Sequence, residues 1–186
     1  LLHYLATEVL GELPGELIEF LRLAAIPERF DAELLAEVLQ RDDVPYLLGR
    51  AQALGLPILP LDERGDQLRF HPLWRELLLR PDDPPSAPAP LQTLHRQFGQ
   101  ALEARGDLDE ALSHYASAEA TDELTRALRQ RAWPMLQSPR RETVRRWLEQ
   151  LPADLRESDP ELLYMWGYSQ IINAPDQALS AIERAA

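Results

Sequence analysis

The chain has 186 residues, 45% of them hydrophobic, which suits one or two domains with real cores; no apolar run approaches the roughly 18 residues of a membrane span. Its 31 acids against 19 basic residues give a formal net charge of −12, so the chain as a whole is repelled by nucleic acid and by anionic membranes. Every basic residue is an arginine and cysteine is absent, which removes P-loop and Schiff-base lysines, thiolate nucleophiles, disulfides and cysteine zinc sites, and is compatible with a reducing cytoplasm.

Leu1, Leu2, Leu5, Val9 and Leu10 fall at helical spacing, and Gly11 and Pro14-Gly15 break the pattern, so the chain opens with a short connecting helix. Glu16–Ala25 carries an apolar stripe of Leu17, Ile18, Phe20, Leu21, Leu23 and Ala24 and ends at Ile26-Pro27. Asp31 is suited to cap a second helix over Ala32–Gln40. A third begins near Asp43, with Val44, Leu47, Leu48, Ala51 and Leu54 on its apolar face and Gly55 as its C-terminal stop. Two short extended pieces follow, Leu56–Leu61 and Gln67–Phe70, joined by a glycine-containing loop. Pro72 then opens a closing helix to Arg80.

Three helices, a hairpin and a closing helix are the order of a winged-helix domain, expected over residues 1–80. A DNA-reading version needs Arg, Lys or Asn on its third helix, yet Asp43–Leu54 offers only Arg50 and Gln52 beside Asp43. Direct nucleic-acid binding by this chain is therefore not expected.

His71 stands where the second strand meets the closing helix. As the residue before a proline it is pushed out of the α region, which puts its imidazole at the N-cap, beside unpaired N–H groups. Such a histidine serves either as a hydrogen-bonded structural residue or as a contact for a phosphate or carboxylate.

Residues 81–90 hold five prolines, two aspartates and a serine and are expected to be a stiff, solvated linker. From residue 91 to 186 the periodicity is helical. Gly106-Asp107-Leu108 with Ala111, Tyr115 and Ala118 has the spacing of a helix–turn–helix repeat. Asn173-Ala174-Pro175 with Ala178, Ile182 and Ala185 repeats it, Asn173 taking the left-handed turn position. Two periods of about 34 residues separate Ala111 from Ala178, and a degenerate middle unit fits between them, turning at Ser138-Pro139 and continuing through Arg140–Leu151. The expected fold class is mostly α: a winged-helix-like domain followed by an incomplete array of tetratricopeptide-like repeats. The chain opens without methionine and its last helical pattern simply stops, so it reads as a piece of something longer.

His3, His95 and His114 lack metal-ligand spacing and read as surface or packing residues. No paired-carboxylate or Gly-x-Ser-x-Gly signal is present, and no catalysis is expected of the chain itself. Arginines 126, 129, 131, 140, 141, 145 and 146 are dense and accompanied mainly by Glu142. They form either a solvated helix face or, through Arg140, Arg141, Arg145 and Arg146, a surface for an acidic partner or anionic effector. Trp133, Trp147, Trp166, Tyr164 and Tyr168 either pack the repeats or line a groove.

Three tracts carry a family resemblance. Residues 4–26, from Tyr4-Leu5-Ala6 through Leu13-Pro14 to Phe20-Leu21, resemble the segment that follows the ATPase core of large ATP-dependent transcriptional regulators of the MalT type, LuxR-family members of the STAND class of signal-transducing ATPases. Phe70–Leu78 is similar to the end of their winged helix. His95-Arg96, Gly106-Asp107, Glu110-Ala111 and the run Trp147–Pro152 resemble their first sensor repeats.

The resemblance implies a cytoplasmic regulator in which the winged helix packs on a nucleotide-binding domain of the same protein. A histidine in the matching tract touches the phosphates of bound ADP and holds the off state; His71 occupies that position, although Pro72 replaces the family's usual His or Asp. It also implies repeats that receive a small inducer or a protein partner, and effector-dependent self-association of the whole protein. The ATPase domain and any DNA-binding domain lie outside these 186 residues, so ATP and ADP are implied for the full-length protein and no cofactor for the segment. An interaction scaffold without transcriptional output is the alternative, distinguished by what lies downstream.

Overall fold

Apolar residues at helical spacing fold into three helices, α1 (Gly15–Ala24), α2 (Ala32–Leu39) and α3 (Val44–Ala53), which turn Leu17, Phe20, Leu21, Leu34, Leu35, Val44 and Leu47 into one core. The computed structural model describes residues 10–80 and 90–185. The chain forms two compact units, Leu1–Ala101 and Leu102–Ala186. Most of the expected first helix and nearly all of the expected linker lie outside the described residues.

The Asp31 carboxylate accepts the Leu34 N–H at 2.7 Å and so caps α2. Asp43 stands at the N-cap of α3 but makes no capping bond; its carboxylate is held by Arg41 at 2.6 and 2.8 Å. Gly55, at φ 70°, takes the left-handed conformation that stops α3. The strands are shorter than the sequence suggested, β1 (Ile58–Pro60) and β2 (Leu68–Phe70), antiparallel with Ile58 opposite Phe70 and Pro60 opposite Leu68.

A third partner joins them from between α1 and α2. Phe30 exchanges both backbone hydrogen bonds with Leu68, at 2.9 and 2.7 Å, and its ring lies 5.1 Å from that of Phe70. Helix α4 (Pro72–Leu78) closes the winged-helix fold by burying Trp74, Leu77 and Leu78. The first part of α5 (Leu91–Ala104) also belongs to this unit, where Leu94 and Phe98 are buried and Gln97 and Gln100 flank the same cleft as Glu37 and Val38 of α2. The two units divide after Ala101, inside that helix.

The second unit is a run of helical repeats: α6 (Leu108–Ser117), α7 (Thr121–Leu136), α8 (Arg141–Gln150), the short α9 (Ala153–Ser158), α10 (Pro160–Gln170) and α11 (Pro175–Ala185). Gly106 makes the turn before α6 at φ 81°. Asn173 does not take the left-handed position expected of it; among the described residues only Gln40 and Glu119 do so without being glycine. Its N–H and that of Ala174 both donate to the Gln170 carbonyl, at 3.0 and 2.8 Å, so the turn stays right-handed. Ala111 and Ala178, one repeat spacing twice over, are both buried where helices meet.

Gly167 sets the approach of α10 to α11. A Cβ there would stand 2.9 Å from the Ala178 carbonyl oxygen, 2.9 Å from Ile182 Cγ1 and 3.1 Å from Ala181 Cβ. The backbone oxygen cannot give way without moving the helix. Gly167→Val should lower stability by about 1–3 kcal/mol through overpacking, read as a lower denaturation midpoint; an unchanged midpoint would contradict this packing.

Candidate functional site

The corner at His71 is built by backbone first. The His71 N–H donates to the Pro57 carbonyl at 2.9 Å, and its own carbonyl accepts the N–H groups of Trp74 and Arg75, both at 2.9 Å. Proline at the next position holds its backbone extended, φ −56° and ψ 137°, as steric exclusion before proline requires. Phe70 and Trp74 point inward on either side and are buried, while His71, Pro72 and Leu73 face solvent. The imidazole makes no capping bond to α4 and is exposed to solvent.

What holds the corner is Arg75, one turn on. Its Nε donates to the Ala25 carbonyl and its Nη2 to the Ile26 carbonyl, each at 2.9 Å. Those carbonyls follow the end of α1, where backbone acceptors otherwise lack intrahelical partners. The same guanidinium, together with the larger effect of burial, pushes His95 of α5 below its ordinary range. His95 is thus neutral at pH 7. His3 lies outside the described residues. His114 is buried beside Glu110, 3.9 Å away. Among the described residues no group of three His, Asp or Glu side chains has the geometry to hold a metal.

The arginine-rich stretch is largely spent within the second unit. Arg140 reaches Asp109 of α6 at 2.5 Å, where Arg131 also arrives at 2.9 Å. Arg141 donates through Nε to the Leu136 carbonyl at 2.9 Å and lies 5.5 Å from the centre of the Tyr168 ring. Arg145 bonds Glu142 at 2.5 and 2.9 Å and also pairs with Glu149. Arg146 is exposed, and its charge helps to lower the pKa of Glu142. Of the four arginines singled out as a surface, three therefore have internal acceptors.

The aromatics divide in the same way. Trp147 is buried, whereas Trp133 of α7 packs against Tyr164 and Tyr168 of α10, ring centres 5.5 and 5.9 Å apart. Trp166 carries Arg156 on its face at 4.4 Å. A lone arginine such as Arg75 or Arg156 carries no periodic signal in the sequence, so its anchoring role shows only in the structure.

A clamp of three helices completes the electrostatics. Glu103, at the end of α5, accepts from the Tyr115 hydroxyl of α6 at 2.5 Å and from Arg126 of α7 through both terminal nitrogens, Nη2 at 2.7 Å. The Arg126 bonds, then Tyr115, hold Glu103 below the usual carboxylate range against the cost of burial. Burial first, and the Glu103 bond second, push Tyr115 up to about 12.

In chain order, then, a winged-helix module with an exposed histidine on its closing corner is followed by helical repeats. The family model for the MalT winged helix domain matches residues 6–81, within the first unit. The chain is also similar to the HTH-type transcriptional regulator MalT of Vibrio campbellii, 28% identical over 159 residues that cover 86% of this chain and 18% of that protein. MalT of Yersinia enterocolitica is 26% identical over 188 residues, covering 97% of this chain and 21% of the relative, and MalT of Cronobacter sakazakii is 24% identical over 162 residues. The chain thus spans about a fifth of the length of the curated relatives it matches. Among its described residues no helix is long and apolar enough to cross a membrane.

The clamps give the repeats a pH signature. Glu103 is depressed by Arg126, and in Asp109 the bonds from Arg131 and Arg140 outweigh burial. A carboxylate depressed in the folded state stabilises it above the unfolded value, and this is lost as pH falls through the folded one. Tyr115, raised, contributes the opposite: stability below about pH 10 that fades towards about 12. Thermal melts followed by circular dichroism should therefore be flat from about pH 5 to 9 and fall below about 4 and above about 10; a melting temperature unaffected at acid pH would show that the clamps do not hold the unit.

Proposed function

We propose that this chain is the regulatory and sensor segment of an ATP-dependent bacterial transcriptional regulator acting in the cytoplasm. The winged-helix unit helps to hold an ADP-bound off state by placing His71 against the nucleotide in an ATPase domain of the same protein. The tetratricopeptide-like repeats receive a small-molecule inducer or a protein partner, and the effector acts by preferring the released form. ATP and ADP are cofactors of the whole protein, and release is coupled to its self-association.

The observation that carries this reading is the exposed His71 imidazole on a backbone fixed by Pro57, Trp74 and Arg75, with no internal hydrogen bond to α4. A side chain held ready at a rigid corner and left without a local task suits contact with a separate domain. The match to the MalT winged helix and the similarity to MalT regulators along the chain support the regulatory setting. The third helix argues against DNA reading by this segment, since the half-exposed Arg50 is its one basic residue and its N-terminal Asp43 is paired with Arg41.

His71→Ala in the full-length protein should raise transcription in the absence of inducer. Loss of one charge-assisted contact, about 1.5–3 kcal/mol, corresponds to roughly a tenfold or larger shift towards the active form. A reporter assay showing unchanged basal transcription, at equal protein levels, would reject the role of His71.

A further inference from the structure

The second unit pairs several of its arginines with carboxylates: Arg126 with Glu103, Arg129 with Asp159 and Glu161, Arg131 and Arg140 with Asp109, and Arg145 with Glu142 and Glu149. Arg156 is half-buried and, like Arg141, is held by a backbone carbonyl and an aromatic ring instead. Its Nη1 donates to the Leu148 carbonyl at 3.0 Å, its plane rests on Trp166, and its Nε is shielded from solvent with no acceptor. This positive charge has no carboxylate partner among the described residues, and the indole and the carbonyl fix the direction in which it faces.

Arg156 lines a cleft of about 390 Å³ between α9, α10 and α11, a size suited to a small molecule. A second cation, Arg184 of α11, lines it too, held among the described residues by Glu157 at 3.2 Å in a pair that is half exposed on both sides and so readily exchanged. Leu163 and Ala181 are buried at its floor, and Asp176 stands exposed at its rim.

We propose that this cleft binds a free α-amino acid with an apolar side chain. The carboxylate sits between Arg156 and Arg184, where the exposed Arg184 guanidinium offers paired donors and Arg156 adds its charge. The ammonium group meets Asp176, with Glu157 beside it, and the side chain lies against Leu163 and Ala181. Two acids at the rim disfavour a dianion or a phosphate, and the two arginines disfavour a simple amine; a zwitterion satisfies both. Binding is a property of this chain alone. Its use as the signal sensed by the repeats rests on the regulatory reading proposed above.

The test is calorimetric titration of the 186-residue chain, with Trp fluorescence in parallel, using L-leucine and L-phenylalanine as probes and L-leucinamide, which lacks the carboxylate, as control. Saturable binding of at least one amino acid, at least tenfold weaker for the amide and for Arg184→Gln, is the expected result. Arg184 is exposed and its replacement should leave the melting curve unchanged; Asp176→Asn, also exposed, should weaken the amino acids to a similar extent. Absence of saturable binding by both probes, equal binding of leucinamide, or unchanged affinity in both variants would overturn the site. Binding that leaves transcription by the full-length protein unaltered would instead remove the sensor role and keep the site.

Discussion

Arg75 ties the closing helix α4 to the end of α1, and the geometry of the corner follows from that bond. Helix α4 has seven residues, too few to persist by its own hydrogen bonds. Its position comes from Trp74, Leu77 and Leu78 in the core and from a guanidinium whose two donors meet the carbonyls of Ala25 and Ile26. Those acceptors, left over where α1 stops, need donors in a place water reaches poorly. One side chain answers both needs. A lysine would supply a point charge without the paired, planar donors that two successive carbonyls call for, which is consistent with a chain that uses arginine for every basic position.

The repeats apply the same device between side chains. Glu103, Asp109 and Asp159 each receive arginines from a different helix, and Tyr115 adds a buried hydroxyl to the first of these clusters. Isolated surface pairs contribute little, but a carboxylate shared by donors from two helices restricts how those helices slide. The tight contact of Gly167 with α11 does this by shape in the last repeat. Charge density along residues 126–146 is therefore mostly the mark of internal clamps, and Arg156, further on, is a half-buried cation with no carboxylate partner among the described residues.

Much of this was legible in the residues. Asp31, Gly55 and Gly106 mark element ends by local chemistry that needs no tertiary context, and each does so in the structure. The order of helices and hairpin followed from apolar spacing, and His71 before Pro72 located the strand–helix corner. The rest depended on contacts distant in sequence. Phe30 pairs with Leu68 through a single residue, which leaves no alternation to detect. Helix α9 is six residues long with nothing buried in it, so it has no apolar stripe. Asn173 tolerates a left-handed turn but is not compelled to adopt one, and the Gln170 carbonyl captures its N–H first. The arginine face looked like a surface because its partners, Asp109 above all, come from another helix. At the candidate site, position was readable and anchoring was not: His71 could be named from its neighbours, whereas Arg75 is explained only by carbonyls some fifty residues earlier.

The central claim is that a corner anchored by Arg75 presents His71 to the phosphates of ADP. It is tested most directly by calorimetric titration of ADP and ATP into the full-length protein, with and without His71→Ala. Weaker ADP binding with ATP affinity unchanged is the predicted result. Equal affinities for both nucleotides in both proteins would contradict the account and leave His71 as a solvent-facing residue of the strand–helix junction.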